Sequence, residues 1–262
     1  MNAVMEPFCH VPFHQLERYA AVIERFKLPL EVYLPNHVVR RQEDRDYAVV
    51  GEWLTALNLP ITVHGPFQDL IPAAYDDDIR ELTIRRLVRG VEAAALLGAE
   101  RYLLHLNCEP WKYDCDESGW LEHVMRTLNT VCEELDKHGM ALLMENTFES
   151  DPTPFQRVFS TLGYHRAGFC MDIAHTELFS KALASKWVEA LMDRLVHVHM
   201  SDHHGIFDEH LPLGRGTIDF ESYFDLFRQY GVAPTFTFEF GGIEAIQESR
   251  GYLHRVWWGA AD

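Results

Sequence analysis

The sequence predicts an α/β protein built as a single (β/α)8 barrel over residues 1–262, and three observations point to that fold. The length of 262 residues matches the roughly 250 typical of one such barrel, so one domain is expected rather than two. Short apolar runs alternate with longer stretches of helical periodicity, the signature of repeated βα units around a parallel sheet. Six successive apolar runs end in His, Asp or Glu. In such a barrel the active site is built at those C-terminal strand ends.

Taken in order, strands are expected near Ala3–Cys9, Leu30–Leu34, Ile61–His64, Tyr102–Leu106, Ala141–Asn146, Ala167–Asp172, Leu195–Met200 and Thr235–Phe240. The clearest helix runs from Asp78 to Leu97, where Ile79, Leu82, Leu87, Val91, Ala95 and Leu96 recur at helical spacing and Gly98 marks the stop. Gly119 to His138 repeats the pattern and stops at Gly139, and Phe220 to Tyr230 stops at Gly231. No linker-like or low-complexity tract divides the chain.

Composition narrows the function. Hydrophobic residues at 47% and charged residues at 24% are ordinary for a globular protein and exclude a disordered or fibrous chain. No apolar run approaches the roughly 20 residues needed to cross a bilayer. Met1–Pro12 lacks the basic and apolar regions of a secretory signal, so a cytoplasmic location is expected. Cys9, Cys108, Cys115, Cys132 and Cys170 show no CxxC spacing and read as buried free thiols. A formal charge of −17 disfavours nucleic acid, whose phosphates need Lys and Arg to neutralise them.

The chemistry is expected where the apolar runs stop. Ile61-Thr62-Val63 ends in His64, Tyr102-Leu103-Leu104 in His105, and Leu142-Leu143-Met144 in Glu145-Asn146. The next three end in Asp172, His199 and Glu239. All are side chains that ligate divalent metals, and their strand ends converge on one volume above the barrel. Asp172 and His175 form D-x-x-H, and Asp208 and His210 form D-x-H after the seventh strand. Mixed imidazole and carboxylate donors favour zinc or manganese, with magnesium behind them, over calcium.

Together these motifs resemble the xylose isomerase-like TIM-barrel superfamily, which holds sugar-phosphate isomerases and epimerases and the endonuclease IV-type apurinic endonucleases. The resemblance spans the chain. It rests on His64-Gly65-Pro66-Phe67, Leu97-Gly98-Ala99, Glu145-Asn146, Asp172-Ile173-Ala174-His175, His199-Met200-Ser201-Asp202 and the run from His210 through Gly214-Arg215-Gly216 to Phe220. It implies that Glu145, Asp172, His199 and Glu239 hold the metal shared by the isomerase branch. It also implies that His64, His105, His175, Asp208 and His210 stand where the endonuclease branch binds further zinc ions.

The resemblance favours a metal-dependent isomerase or epimerase of a small sugar or sugar phosphate, in which Glu145 and Glu239 move the proton through a metal-stabilised enediolate. The alternative is a zinc phosphodiesterase acting on abasic DNA. Against it stand the acidic charge and the segment Asp202–Phe207, which lacks the basic residues of a strand-gripping loop. Against a ketose epimerase stands the absence of an Arg between His199 and Arg215. Asn146, His175, Trp111 and Arg215 are the expected substrate contacts, with Gly214-Arg215-Gly216 a candidate phosphate cradle or a plain turn in which Thr217 or Asp219 caps a helix. Phe67, Trp111 and Tyr113 wall a sugar pocket or cover the barrel mouth. His197 is expected to pack one layer deeper than His199. His203 and His204 read as solvated loop residues, or one of them as a substrate contact, and Glu31 is left open between core and site. The sequence leaves the number of subunits open.

Overall fold

The computed structural model describes residues 6–113 and 116–259. Eight parallel strands close into one barrel in chain order. They are β1 (Phe8–Pro12), β2 (Leu30–Tyr33), β3 (Ile61–His64), β4 (Arg101–His105), β5 (Ala141–Glu145), β6 (Ala167–Asp172), β7 (Leu195–Met200) and β8 (Thr235–Phe238). The outer ring comprises α1 (Leu16–Phe26), α2 (Asn36–Arg41), α3 (Asp44–Leu57), α4 (Asp77–Leu96), α5 (Glu117–His138), α6 (Thr153–Thr161), α7 (Ile173–Phe179), α8 (Ala184–Leu191), α9 (Phe220–Tyr230) and α10 (Ile243–Val256).

The helices start and stop for local reasons. Asp76, Asp116 and Asp219 each accept backbone N–H groups at the start of α4, α5 and α9, and Asp219 is therefore the cap, not Thr217. Gly139 and Gly231 close α5 and α9 at φ +67° and +69°, a left-handed conformation glycine adopts without steric cost. Gly65 and Gly90 have another purpose. A Cβ at either would stand 2.3 or 2.4 Å from the Tyr102 hydroxyl, so both make room for that buried ring.

Strand alternation makes two cores. Outward residues such as Val32, Val63, Leu104, Met144, Met171, Val198 and Phe238 pack with the helices in the main apolar cluster. Leu103, Leu143 and Cys170 form a separate cluster on the opposite strand faces, filling the barrel below its mouth. Cross-strand register then sets the height of the polar ends: His10 pairs with Glu31, His105 with Glu145, and Asp172 with His199.

Most of the expected strands match within two residues; the first does not. Residues 3–5 of the expected Ala3–Cys9 strand lie outside the described residues, and β1 runs on to Pro12 because Cys9, His10, Val11 and Pro12 pair with β2. This shift brings His10 to the barrel mouth. Cys9, Cys108, Cys132 and Cys170 are buried free thiols, and Cys115 lies outside the described residues. Among the described residues no helix is long and apolar enough to cross a membrane.

Candidate functional site

Each strand end delivers one or two polar groups to the same small volume. Ligand atoms of Glu145, Asp172, His199 and Glu239 all lie within 4.8 Å of one another, and all four side chains are buried. His199 Nδ1 sits 3.2 Å from Glu239 Oε1 and 3.4 Å from Glu145 Oε2, close but without the alignment of a hydrogen bond. Asp172 Oδ1 accepts the His175 amide at 2.6 Å, capping α7, while its Oδ2 has no hydrogen-bond partner among the described residues. Buried polar atoms are nearly always satisfied, so two unpartnered atoms within one such cluster make it a candidate site for a cation.

Two further groups flank this cluster. His64 Nε2 and His105 Nε2 approach Glu145 Oε2 at 3.4 and 3.1 Å. On the other side, Asp208 Oδ2 lies 3.4 Å from His175 Nε2 and 2.8 Å from His210 Nε2. Carbonyl partners set two ring orientations. His64 Nδ1 donates to the Gly65 carbonyl and His175 Nδ1 to the Asn146 carbonyl, each at 2.9 Å, which turns both Nε2 atoms toward carboxylates. All nine residues predicted as ligands thus meet around one cavity mouth.

The electrostatics carry the same message. Burial pushes the Asp172 carboxyl up to about 8, with Glu239 and Glu145 adding to the rise. Burial also opposes ionisation of Glu239, yet His199 and His10 bring it down to about 2. Glu145 is held well below the usual range against its burial, by His199 and His105. The Asp208 hydrogen bond raises His210 to about 9. Three carboxylates packed around one imidazole form an anionic site whose charge a divalent cation would compensate.

Several expected substrate contacts have other work. Asn146 donates to the Asp172 carbonyl and Thr176 Oγ1, both at 3.1 Å, and its Oδ1 accepts the Asp172 amide at 2.8 Å. That leaves it tying β5 to β6, with no group turned to substrate. Arg215 pairs with Glu248 on the surface. The amides of Gly214 and Gly216 donate to Asp202 Oδ2 at 3.0 and 2.8 Å, so an internal carboxylate fills the phosphate cradle. Trp111 is 75% exposed and does not line the cavity, whereas Tyr113 is buried. His175 does line it.

The cavity above the cluster has a volume of about 350 Å³. Tyr33, Phe67, Phe148 and Phe179 form its aromatic wall, and among the described residues no Lys or Arg lines it. His197 is buried and bonded to Thr235 and Thr237 through both ring nitrogens, as its deeper layer predicts. His203 is buried rather than solvated, because the chain from Thr217 bonds its carbonyl; His204 is exposed and pairs with Glu209. Sequence reasoning missed His10, Tyr33, Asn107, Thr147, Phe148 and Phe179 as lining residues. The one signal for His10 was a lone imidazole in an apolar run, and its weight depended on where β1 ended.

Comparisons with known proteins agree with this architecture. Residues 29–256 match the family model described as xylose isomerase-like TIM barrel. Over 202 residues the chain is 26% identical to the uncharacterized protein MJ1311 of Methanocaldococcus jannaschii, covering 74% of this chain and 68% of that one. Among solved structures, the TTHB071 protein from Thermus thermophilus, soaked with ZnCl2, superposes with a TM-score of 0.80 at 25% identity, covering 99% of this chain and 100% of the other. A D-tagatose 3-epimerase-like protein follows at 0.79 and 22%, covering 95% and 96%. The barrel, its strand-end ligand set and the family match lead to one conclusion: this chain belongs to the xylose isomerase-like TIM barrel family.

Proposed function

We propose that the protein is a divalent-metal-dependent isomerase or epimerase of a small, uncharged sugar. The observation that supports this most is the convergence of Glu145, Asp172, His199 and Glu239 within 4.8 Å, with Asp172 Oδ2 and His199 Nδ1 lacking hydrogen-bond partners. The donor set suits zinc or manganese better than magnesium. A cation bound there would supply the Lewis acid that polarises a substrate carbonyl and its neighbouring hydroxyl.

The chain's own residues then divide the work. Glu145 from β5 and Glu239 from β8 are the two bases, one taking the proton from the carbon beside the carbonyl and the other returning it. His105, 3.1 Å from Glu145, and His10, 3.6 Å from Glu239, stand beside the two carboxylates. Tyr33, Phe67, Phe148 and Phe179 present ring faces and edges to the apolar side of a sugar and keep bulk water off the reacting carbon. The cavity lining holds no Lys or Arg, and Arg215 is engaged elsewhere, which favours a free sugar over its phosphate.

The test is to load the protein with Mn²⁺ or Zn²⁺ and incubate it with ketohexoses and ketopentoses in D₂O, following deuterium incorporation by NMR. Exchange with Glu145→Gln and Glu239→Gln inactive supports the reading; full activity in both variants, or no bound metal, sinks it. The His64–His105 and His175–Asp208–His210 groups favour a second reading, a multi-zinc phosphodiesterase. Three zinc ions per chain with cleavage of abasic DNA would replace the first reading by the second.

A further inference from the structure

Glu31 is completely buried in β2, and the proton transfer proposed above does not involve it. A buried carboxylate is costly unless its oxygens are bonded. Here the partners are two imidazoles and a hydroxyl. Glu31 Oε2 accepts from His199 Nε2 at 3.1 Å and from Thr237 Oγ1 at 3.2 Å, and Oε1 faces His10 Nδ1 at 3.4 Å. His197, 3.6 Å away, is already engaged by Thr235 and Thr237.

We infer that Glu31 is the positioning residue for the metal ligand His199: it anchors the Nε2–H and thereby leaves the Nδ1 lone pair directed at the space between Glu145, Asp172 and Glu239. This rests on the metal reading above. An ionised carboxylate only accepts, so the proton of His199 must reside on Nε2. With the ring rotation set by that bond, Nδ1 is in place before any cation arrives. The same carboxylate braces His10 through its second oxygen, so one buried group orients an imidazole on the metal side and another on the substrate side. Glutamine at position 31 would match the volume but can turn an amide N–H toward His199, driving the proton onto Nδ1 and removing the lone pair.

Metal-free wild type and Glu31→Gln are titrated with Co²⁺, followed by visible absorption, with circular dichroism recorded to check folding. The variant is expected to bind about 10- to 100-fold more weakly and to show a shifted Co²⁺ band, the usual effect of removing such a partner. Equal affinity and an unchanged band in folded Glu31→Gln overturn the inference while leaving the proposed function intact. Wild type that takes up no Co²⁺ overturns both. If the variant does not fold, ¹⁵N NMR of histidine-labelled, Zn²⁺-loaded wild type decides: His199 is expected to keep its proton on Nε2 with Nδ1 shifted by the metal. A metal-shifted Nε2 would overturn the assignment.

Discussion

Two buried aspartates stand at neighbouring strand ends, and they differ in how their oxygens are used. Asp202, just past β7, accepts four backbone amides: His203 and Ile218 on Oδ1 at 2.9 and 3.1 Å, Gly214 and Gly216 on Oδ2 at 3.0 and 2.8 Å. Asp172, at the end of β6, caps α7 with one oxygen and leaves the other without a hydrogen-bond partner. The saturated carboxylate is scaffold, holding the 202–218 segment from which Asp208 reaches both His175 and His210. The unsaturated one belongs to the candidate site. Residue type and position along the barrel are nearly the same; the count of satisfied lone pairs separates the roles.

The largest expected effect breaks the site half of this contrast. Asp172→Asn should abolish tight divalent-metal binding and lower turnover by about a thousandfold, roughly 4 kcal/mol of barrier, while thermal unfolding of the metal-free protein stays the same or moves upward. Metal titration and calorimetry of one preparation check both. A fall in melting temperature with metal binding retained would make Asp172 scaffold after all.

Asp202→Ala should do the reverse. Several buried amides lose their acceptor at about 1–3 kcal/mol each, so denaturant unfolding should show a loss of about 3–5 kcal/mol, while Co²⁺ affinity at the central cluster holds within a few-fold. Loss of metal binding in a protein of unchanged stability would invert the assignment.

The pH dependence sharpens the contrast further. In the metal-free fold Asp172 is raised from 3.8 to about 8, so between these values the folded state holds a proton that the unfolded state has released. Its contribution therefore makes stability decline as pH rises from about 4 to about 8. That decline should be missing in Asp172→Asn, as urea unfolding at a series of pH values would reveal. Metal binding must displace the same proton, so affinity should rise by up to about tenfold per pH unit below pH 8.

The smallest effect belongs to Arg215→Ala. Its exposed pair with Glu248 is screened by solvent, so denaturant unfolding should shift little and the turnover of free sugars should not change. A marked loss of turnover would restore Arg215 to the site.

The candidate ligand set was legible because strand alternation and strand-end position are one-dimensional signals. His64, Asp172 and His199 each stand at or near the end of a strand, and register brings such termini to one height. Direction is not written that way. Asn146 follows a ligand in the chain yet turns back to bond β6, and Trp111 follows a ligand-bearing strand yet faces solvent. Gly214-Arg215-Gly216 has the composition of an anion cradle, but its anion is Asp202 of the same chain.

By itself, then, the sequence determined a barrel of eight βα units with nine candidate ligand side chains, all His, Asp or Glu, gathered near its mouth, because hydrophobic periodicity and local capping depend on near neighbours. Tertiary structure alone decided where β1 ends, that His10 enters the cavity, and that Glu31 holds His199 across 168 positions of sequence. Barrel closure pairs β1 with β8, next to β2 on one side and β7 on the other, and only then do a buried carboxylate and its imidazole partners share the same few ångströms.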